Sequence, residues 1–356
     1  MDNKTLRIKA QDLRESLQLV SSVVPLNPTQ VAHSGVHMLV TDGKLKLTAT
    51  DGDTTITKIL TTEGDVDVNI VVQPRPLLNL ISKIDNSVYI TLSIESENIL
   101  AVKVSGNKPY KFKTLLTTFP TSSPPTDIVF SMTDINLSPI VKVLKNSTQK
   151  DEPVVSIVKT KDKIAFSTTD TYTLAYVEKK DNSQTEFDVL VPYSVFEKAS
   201  RINVDSIMMD TNRRIISFKS DDTQITTRLN SNTYPPVGSI IENIPDYSVN
   251  ITTEEPLQIL ARLASLSVDT PIKVRMHGDI LEMSIDSADI GSGSEECKLP
   301  ISMKEEFVFH ARSNYLMNAL TLGEVVELRY TGSLQPLHFI VGSKLKSILV
   351  VMPVRV

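Results

Sequence analysis

The sequence has one cysteine in 356 residues, no run of eighteen apolar residues, and no apolar core in its opening stretch MDNKTLRIKAQDLRES. A lone Cys297 excludes an intrachain disulfide and suits a reducing compartment, so a cytoplasmic location is expected. The missing apolar stretches argue against a membrane-spanning helix and a secretory leader. The phosphate-cradling GxxxxGK(S/T), the dinucleotide GxGxxG and the zinc-binding HExxH are absent as well. Gly291-Ser292-Gly293-Ser294 is the one glycine-rich spot. No helix follows it to aim N–H groups at a phosphate, and a surface loop between strands is expected there. His33 and His37 are four residues apart, but the GVHMLV around His37 is strand-like and no third ligand is near. No metal or other cofactor is therefore expected. Acids outnumber Lys and Arg, 42 to 37. The net charge of −5 argues against nonspecific nucleic-acid binding by bulk electrostatics, so any such contact needs a local basic surface or a topological hold.

What the sequence does contain is a repeat. GVHMLVTDGKLKLTATDGD, residues 35–53, reads as strand, tight Asp42-Gly43 turn, strand, and closes on Thr50-Asp51. A similar phrase, VVSIVKTKDKIAFSTTD, ends at Asp170, and a fainter one, IKVRMHGDILEMSID, ends at Asp286. The three aspartates are 119 and 116 residues apart, about a third of the chain each time. A helix candidate precedes each phrase: Gln11–Val24 with Leu13, Leu17, Val20 and Val24 on one stripe, then Asp134–Gln149, then Glu255–Ser267. A second helix follows each, in VVQPRPLLNLISKI, LVPYSVFEKASRI and FVFHARSNYLMNAL, and alternating strands close each copy. Thr121-Ser122-Ser123-Pro124-Pro125 and Asn243-Ile244-Pro245-Asp246 read as linkers. The expectation is an α+β protein of three tandem sheet-plus-two-helices domains, residues 1–122, 126–245 and 248–356.

Nothing in the residues supports an enzyme. Asp51, Asp170 and Asp286 recur once per copy, and a residue repeated by symmetry more often holds a turn than performs a reaction. The helices say more. Arg14, Arg75, Lys83, Lys142, Lys145, Lys198, Arg201 and Arg262 stand against five acids, so the helices bearing them total +3 while the rest of the chain totals −8. An ordinary solvated face would explain such a pattern by itself. Joined to the repeat, it describes units that could close into a ring with a basic lining.

The order and spacing of these pieces, together with Thr169-Asp170 followed by Leu174-Ala175, Tyr234-Pro235, and the terminal VVMPVRV, resemble the bacterial DNA polymerase III beta subunit family, the sliding clamps. The resemblance runs from end to end. It implies a non-catalytic head-to-tail homodimer, a ring around duplex DNA with helices toward the hole. It implies as partners DNA polymerase III, other polymerases and a clamp loader, and no membrane. It also implies a pocket for a short apolar partner peptide, carried here by Thr169, Thr171, Tyr172, Leu174, Pro235, Ile240, Tyr315, Val350, Met352, Pro353, Val354 and Arg355. The DNA-facing residues would be Arg14, Lys83, Lys142, Lys145, Lys150, Lys198, Arg201 and Arg262. The dimer seam would set Arg75, Tyr110 and Phe112 of one protomer against Leu266, Glu295 and Glu296 of the next.

There are departures. The family's Gly-His-Arg after Thr-Asp is Thr171-Tyr172-Thr173 here, an arginine of the family is Ser239, and Arg312-Ser313 looks like part of an insertion before Tyr315. Asn27 stands where a DNA-touching arginine is usual, and Lys150 could compensate. Without the resemblance, two other readings fit the residues: a repeat-built interaction scaffold that does not encircle DNA, and an enzyme whose site is too dispersed to see.

Overall fold

Period-two alternation of apolar residues makes the strands, and Asp-Gly, Pro and Gly residues punctuate them. The computed structural model describes residues 5–64, 66–96, 98–120, 123–131, 135–148, 151–342 and 345–356. The first repeat runs β1 (Leu6–Lys9), α1 (Ala10–Ser21), β2 (Val36–Thr41), β3 (Lys44–Thr50), β4 (Thr54–Thr61), β5 (Asn69–Val72), α2 (Pro74–Ile81), β6 (Tyr89–Ser96), β7 (Ile99–Val104) and β8 (Tyr110–Leu115). The second runs β9 (Ile128–Ser131), α3 (Leu137–Leu144), β10 (Val154–Lys159), β11 (Lys163–Thr169), β12 (Thr173–Lys180), β13 (Phe187–Pro192), α4 (Tyr193–Ala199), β14 (Ser206–Asp210), β15 (Ile215–Lys219) and β16 (Thr223–Arg228). A short helix, α5 (Gly238–Glu242), precedes the third: β17 (Tyr247–Thr252), α6 (Glu254–Ala264), β18 (Ile272–Ser287), β19 (Gly291–Ala311), α7 (Ser313–Leu320), β20 (Val325–Tyr330), β21 (Leu337–Val341) and β22 (Lys346–Val351).

The expected repetition is visible in the strand order. One sheet reads β1-β6-β7-β8, then β5-β2-β3-β4, then β16-β15-β14-β9, and a second reads β13-β10-β11-β12, then β22-β21-β20-β17. The quartet β5-β2-β3-β4 is thus rebuilt as β13-β10-β11-β12, and β1-β6-β7-β8 returns twice, as β9-β14-β15-β16 and β17-β20-β21-β22. Two compact units result: Met1–Asn136 with Glu197–Leu229, and Leu137–Phe196 with Asn230–Val356. The first holds the β4–β16 seam, where Lys58 meets Asp222 at 2.6 Å and the Thr54 and Thr227 hydroxyls lie 3.1 Å apart. The second holds the β12–β22 seam.

The helices bury one stripe each. Leu13, Leu17 and Val20 of α1 are fully buried, each contributing about 1.5–3 kcal/mol relative to exposure. Val24 lies beyond the helix end, and Val23 is the buried residue there. Pro74 opens α2, where its missing N–H costs nothing, and Leu77 and Ile81 face inward. Among the described residues, no helix is long and apolar enough to cross a membrane.

The third copy departs from expectation at its glycine-rich stretch. Gly291-Ser292-Gly293-Ser294 is not a loop. It starts β19 and pairs with Ser287, Asp286, Ile285 and Ser284. A Cβ on Gly293 would stand 3.3 Å from both Leu263 and Leu266, so the bare backbone lets α6 settle on the strand. The helix expected after Ala311 in FVFHARSNYLMNAL begins at Ser313. Phe307–Ala311 pair with Ile272–Met276, because the alternating apolar residues of FVFHA suit a strand better than a helical turn.

Candidate functional site: an apolar cluster at the end of the β11–β12 hairpin

Asp170 holds a turn, and its bonds show how. Thr169 donates its hydroxyl to the Thr173 carbonyl (2.7 Å) and accepts the Thr171 N–H (3.1 Å). Asp170 Oδ1 accepts the N–H groups of Tyr172 (3.0 Å) and Thr173 (2.7 Å) and the Thr173 hydroxyl (2.9 Å). The first repeat makes the same turn with Thr50 and Asp51, whose Oδ1 accepts from Asp53 (2.9 Å) and Thr54 (2.7 Å). Asp286 lies within a strand instead, opposite Ser292. Gly52 takes φ +104 in the first turn, and Thr171 takes φ +79 in the second. A β-branched residue is strained in that region.

This turn delivers several of the expected residues to one place. Leu174 pairs in register with Val350. Tyr172 accepts the Met352 N–H at 2.9 Å, and the Val354 N–H reaches the His310 carbonyl at 2.7 Å, so the C-terminal residues run beside the turn. Leu174 and Val350 are buried in one cluster with Ala165, Tyr176, Ile241 and Ile348, and half-buried Val237, Ile240, Ile244 and Ile340 pack against it. Met352 is 36% exposed and Tyr172 57%, so both reach solvent. Pro235 is exposed, on a segment anchored by the Tyr234 hydroxyl 3.0 Å from Ser167 Oγ. Arg355 is exposed beyond half-buried Pro353 and Val354.

Sequence reasoning missed α5, which packs against this cluster. Val237, Ile240, Ile241 and Ile244 fall at i, i+3, i+4 and i+7, a helical stripe that was there to be read, although Ile244 had been assigned to a linker. So short a helix cannot stand alone. Besides burying Ile241, it is tied to the sheet through His338, whose Nε2 lies 2.9 Å from the Ile240 carbonyl. Burial holds the His338 pKa below its ordinary value.

On the sheet side of the cluster, Tyr176 donates to Glu178 Oε2 (2.6 Å), and Lys163 reaches both Glu178 (2.8 Å) and the Tyr176 hydroxyl (3.2 Å). Burial and the Glu178 carboxylate push the Tyr176 phenol up to about 12. Burial would raise Glu178, but bonds from Lys163 and Tyr176 outweigh it and hold the carboxyl below its usual range. Tyr315 is buried, with the Arg312 guanidinium carbon 6.0 Å from its ring centre and 5.8 Å from that of Tyr172.

The other expected residues sit as follows. Arg75, Lys83, Lys142, Lys145 and Arg201 are exposed, Arg201 beside Glu197 at 3.8 Å. Arg14 is half-buried and donates to Asn86 (2.6 Å). Lys198 is half-buried, and burial lowers its pKa. Lys150 lies outside the described residues. Arg262 of the DNA-facing set and Glu295 of the seam set are brought together in a two-pronged ion pair, with Nε 2.9 Å and a terminal nitrogen 2.5 Å from the carboxylate oxygens, so neither presents a full charge.

Two strand edges are open among the described residues. Tyr110–Lys113 of β8 pair with β7 on one side, while β5 meets only Thr114 and Leu115; Tyr110 is 51% exposed. Gly291–Lys298 of β19 pair with β18 alone, and Glu296 points to solvent while Leu266 is half-buried.

For chemistry of other kinds there is little to build with. Among the described residues no three His, Cys, Asp or Glu side chains gather as metal ligands. His37 stacks on Phe119 and bonds Asn69 (2.8 Å). Burial pushes the Cys297 thiol up to about 11, which leaves it a poor nucleophile at neutral pH.

Comparison with known proteins agrees with this architecture. Residues 4–121 match the family model of the DNA polymerase III beta subunit, N-terminal domain. The chain is 22% identical to the beta sliding clamp of Bacillus subtilis (strain 168), over 98% of each chain. It is 24% identical to that of Synechococcus elongatus, over 81% of this chain and 82% of the relative. The crystal structure of the DNA polymerase III subunit beta from Pseudomonas aeruginosa superposes with a TM-score of 0.85 at 21% identity, covering 99% of this chain and all of that one. The chain is thus similar over residues 4–121 to the DNA polymerase III beta subunit, N-terminal domain, and along its whole length it has the DNA clamp fold of the bacterial beta subunits.

Proposed function

We propose that this chain is a sliding clamp: a processivity factor that encircles duplex DNA as a head-to-tail homodimer and tethers a DNA polymerase through its apolar groove. The observation that carries the reading is the threefold strand order, which supplies two open edges that a second copy can extend. The β8 edge carries Lys113 beside Tyr110 and Phe112, with Lys111 paired to Glu95, and the β19 edge carries Glu296, with Glu295 paired to Arg262. Strand pairing between complementary edges closes the ring and leaves no raw edge at the seam.

The helix cations give the hole a modest positive lining. Contacts through water and counterion release suffice to hold phosphates without stopping movement along them. The groove takes a short, largely apolar segment of each partner, with DNA polymerase III, other polymerases and a clamp loader as its users in turn. Catalysis has no part in this role, and its setting is the bacterial cytoplasm.

Two measurements test the proposal. Light scattering should give twice the 39.4 kDa chain mass. After loading, the protein should stay on nicked circular DNA and run off once the circle is cut. A monomer with equal retention on both forms would instead favour a scaffold that does not encircle DNA.

A further inference from the structure

One strand edge lacks the protection its counterpart has. β17 takes in the third repeat the place of β1 in the first. β1 is closed on its outer side, where Arg7 and Glu63 exchange main-chain N–H···O bonds at 2.7 and 3.0 Å, and its exposed positions are the charged Arg7 and Lys9. β17 pairs with β20 in unbroken register and, among the described residues, has no main-chain partner on its other side. Its exposed positions are Tyr247, Ser248, Asn250 and Thr252, with no charge, proline or bulge to discourage a further strand. Beside that edge lies a crevice of about 570 Å³, lined also by residues 301–307 of β19. In it Tyr330 stacks on Phe307 (ring centres 3.8 Å apart) and on Tyr247 (5.8 Å), while Tyr247 and Ile301 are 58% and 64% exposed. Glu306 and Glu327 are neutralised by Arg275 (2.8 Å) and Arg329 (3.0 Å). Glu305 is exposed on the lining and, among the described residues, has no cation at ion-pair distance; Lys304 is the one cation there. The Glu305 charge reaches the Tyr330 phenol, whose pKa is raised by burial and by that carboxylate. None of these residues belongs to the cluster around Leu174 and Val350.

We propose that β17 accepts a further strand: an extended segment of a partner protein pairs with its open edge and sets a lysine or arginine side chain against the Tyr247 ring and the Glu305 carboxylate. The alternate N–H and C=O groups of β17 supply the affinity common to any extended backbone, and the crevice reads its side chains. A basic head gains from both the ring face and the acid, and its aliphatic stem suits the exposed apolar surface beside them. The inference is independent of the sliding-clamp reading and gives the chain a second docking face.

The test uses the full chain and fluorescein-labelled nonapeptides of alternating threonine and valine, acetylated and amidated at their ends, with Lys, norleucine or Glu at the centre. Fluorescence polarisation reads binding, and hydrogen exchange reads its place. The Lys peptide should bind roughly three- to tenfold more tightly than the norleucine one. It should also slow amide exchange across residues 247–252. Of the two sets of alternate peptide nitrogens, methylation of one should weaken binding about tenfold, because the ladder is lost. Glu305→Gln and Tyr247→Ser should each shrink the Lys preference; both positions are exposed, so thermal melts should stay close to those of the parent chain. The inference is overturned if no peptide binds the folded chain, if the Glu peptide binds best, or if both methylated sets bind like the parent. It is overturned equally if protection falls on residues 169–174 and 350–355 instead. A mass in light scattering that Tyr247→Lys halves would make a second copy the occupant of this edge, and would overturn it too.

Discussion

Replacing Thr171 by glycine should make the protein more stable. The residue is held at φ +79 in a turn whose first-repeat counterpart has Gly52 at φ +104. The same threonine-and-aspartate bonds pin both turns. A side chain in the left-handed region costs roughly 1–2 kcal/mol, and β-branching adds to it. Glycine removes that cost but gives about 0.5–1 kcal/mol back to the unfolded chain as entropy. Thr171 is exposed, and the bond it makes to Thr169 comes from its main-chain N–H, so neither burial nor hydrogen bonding is lost. The balance is a gain of about 0.5–1.5 kcal/mol for Thr171→Gly. Urea denaturation followed by circular dichroism should show a midpoint raised by a few tenths molar at unchanged slope. Hydrogen exchange across residues 163–180 would assign the gain to the right compact unit. Thr171→Ala keeps a Cβ and should gain little. Gly52→Thr should lose about 1–3 kcal/mol, since it creates the same strain and brings a Cβ 3.4 Å from His33. If alanine stabilises as much as glycine, or glycine lowers the midpoint, the strain argument is wrong.

Three further outcomes follow from the geometry. Tyr176 and Tyr234 have phenols pushed by burial to about 12 from an ordinary 10.0. The folded form then holds protons that the unfolded form releases, so about 2 kcal/mol from each is present below pH 10 and lost as pH rises through 12. Unfolding midpoints across that window should fall, and less steeply in Tyr176→Phe. Gly293→Val would drive a branched side chain into Leu263 and Leu266, and calorimetry should show a loss of about 1–3 kcal/mol, with Gly293→Ala milder. His338→Ala frees the Ile240 carbonyl and should cost about 1–3 kcal/mol. Faster amide exchange at residues 238–242 and weaker peptide binding should accompany it, both partly restored in His338→Gln.

How far the residues alone reached depended on the kind of signal. Asp42-Gly43 and the Thr-Asp pairs were legible because a turn is settled by a few adjacent side chains. The stripe of α1 was legible for the same reason, a helix deciding its own buried face. Gly291–Ser294 was misread because β18, which makes it a strand, is paired with it only in the fold, and local preference yields to such pairing. The Arg312 contact with Tyr172 joins residues 140 positions apart, and no spacing rule reports it.

The seams between repeats carry a practical consequence. Within the middle repeat, β16 takes its neighbour β4 from the first repeat, and β12 takes β22 from the third. An excised fragment spanning residues 126–245 would therefore leave two bare ladders of main-chain donors and acceptors in water. Such a piece should be sticky and insoluble where the intact polypeptide is not, so dissecting this protein by its sequence period would destroy what the period builds.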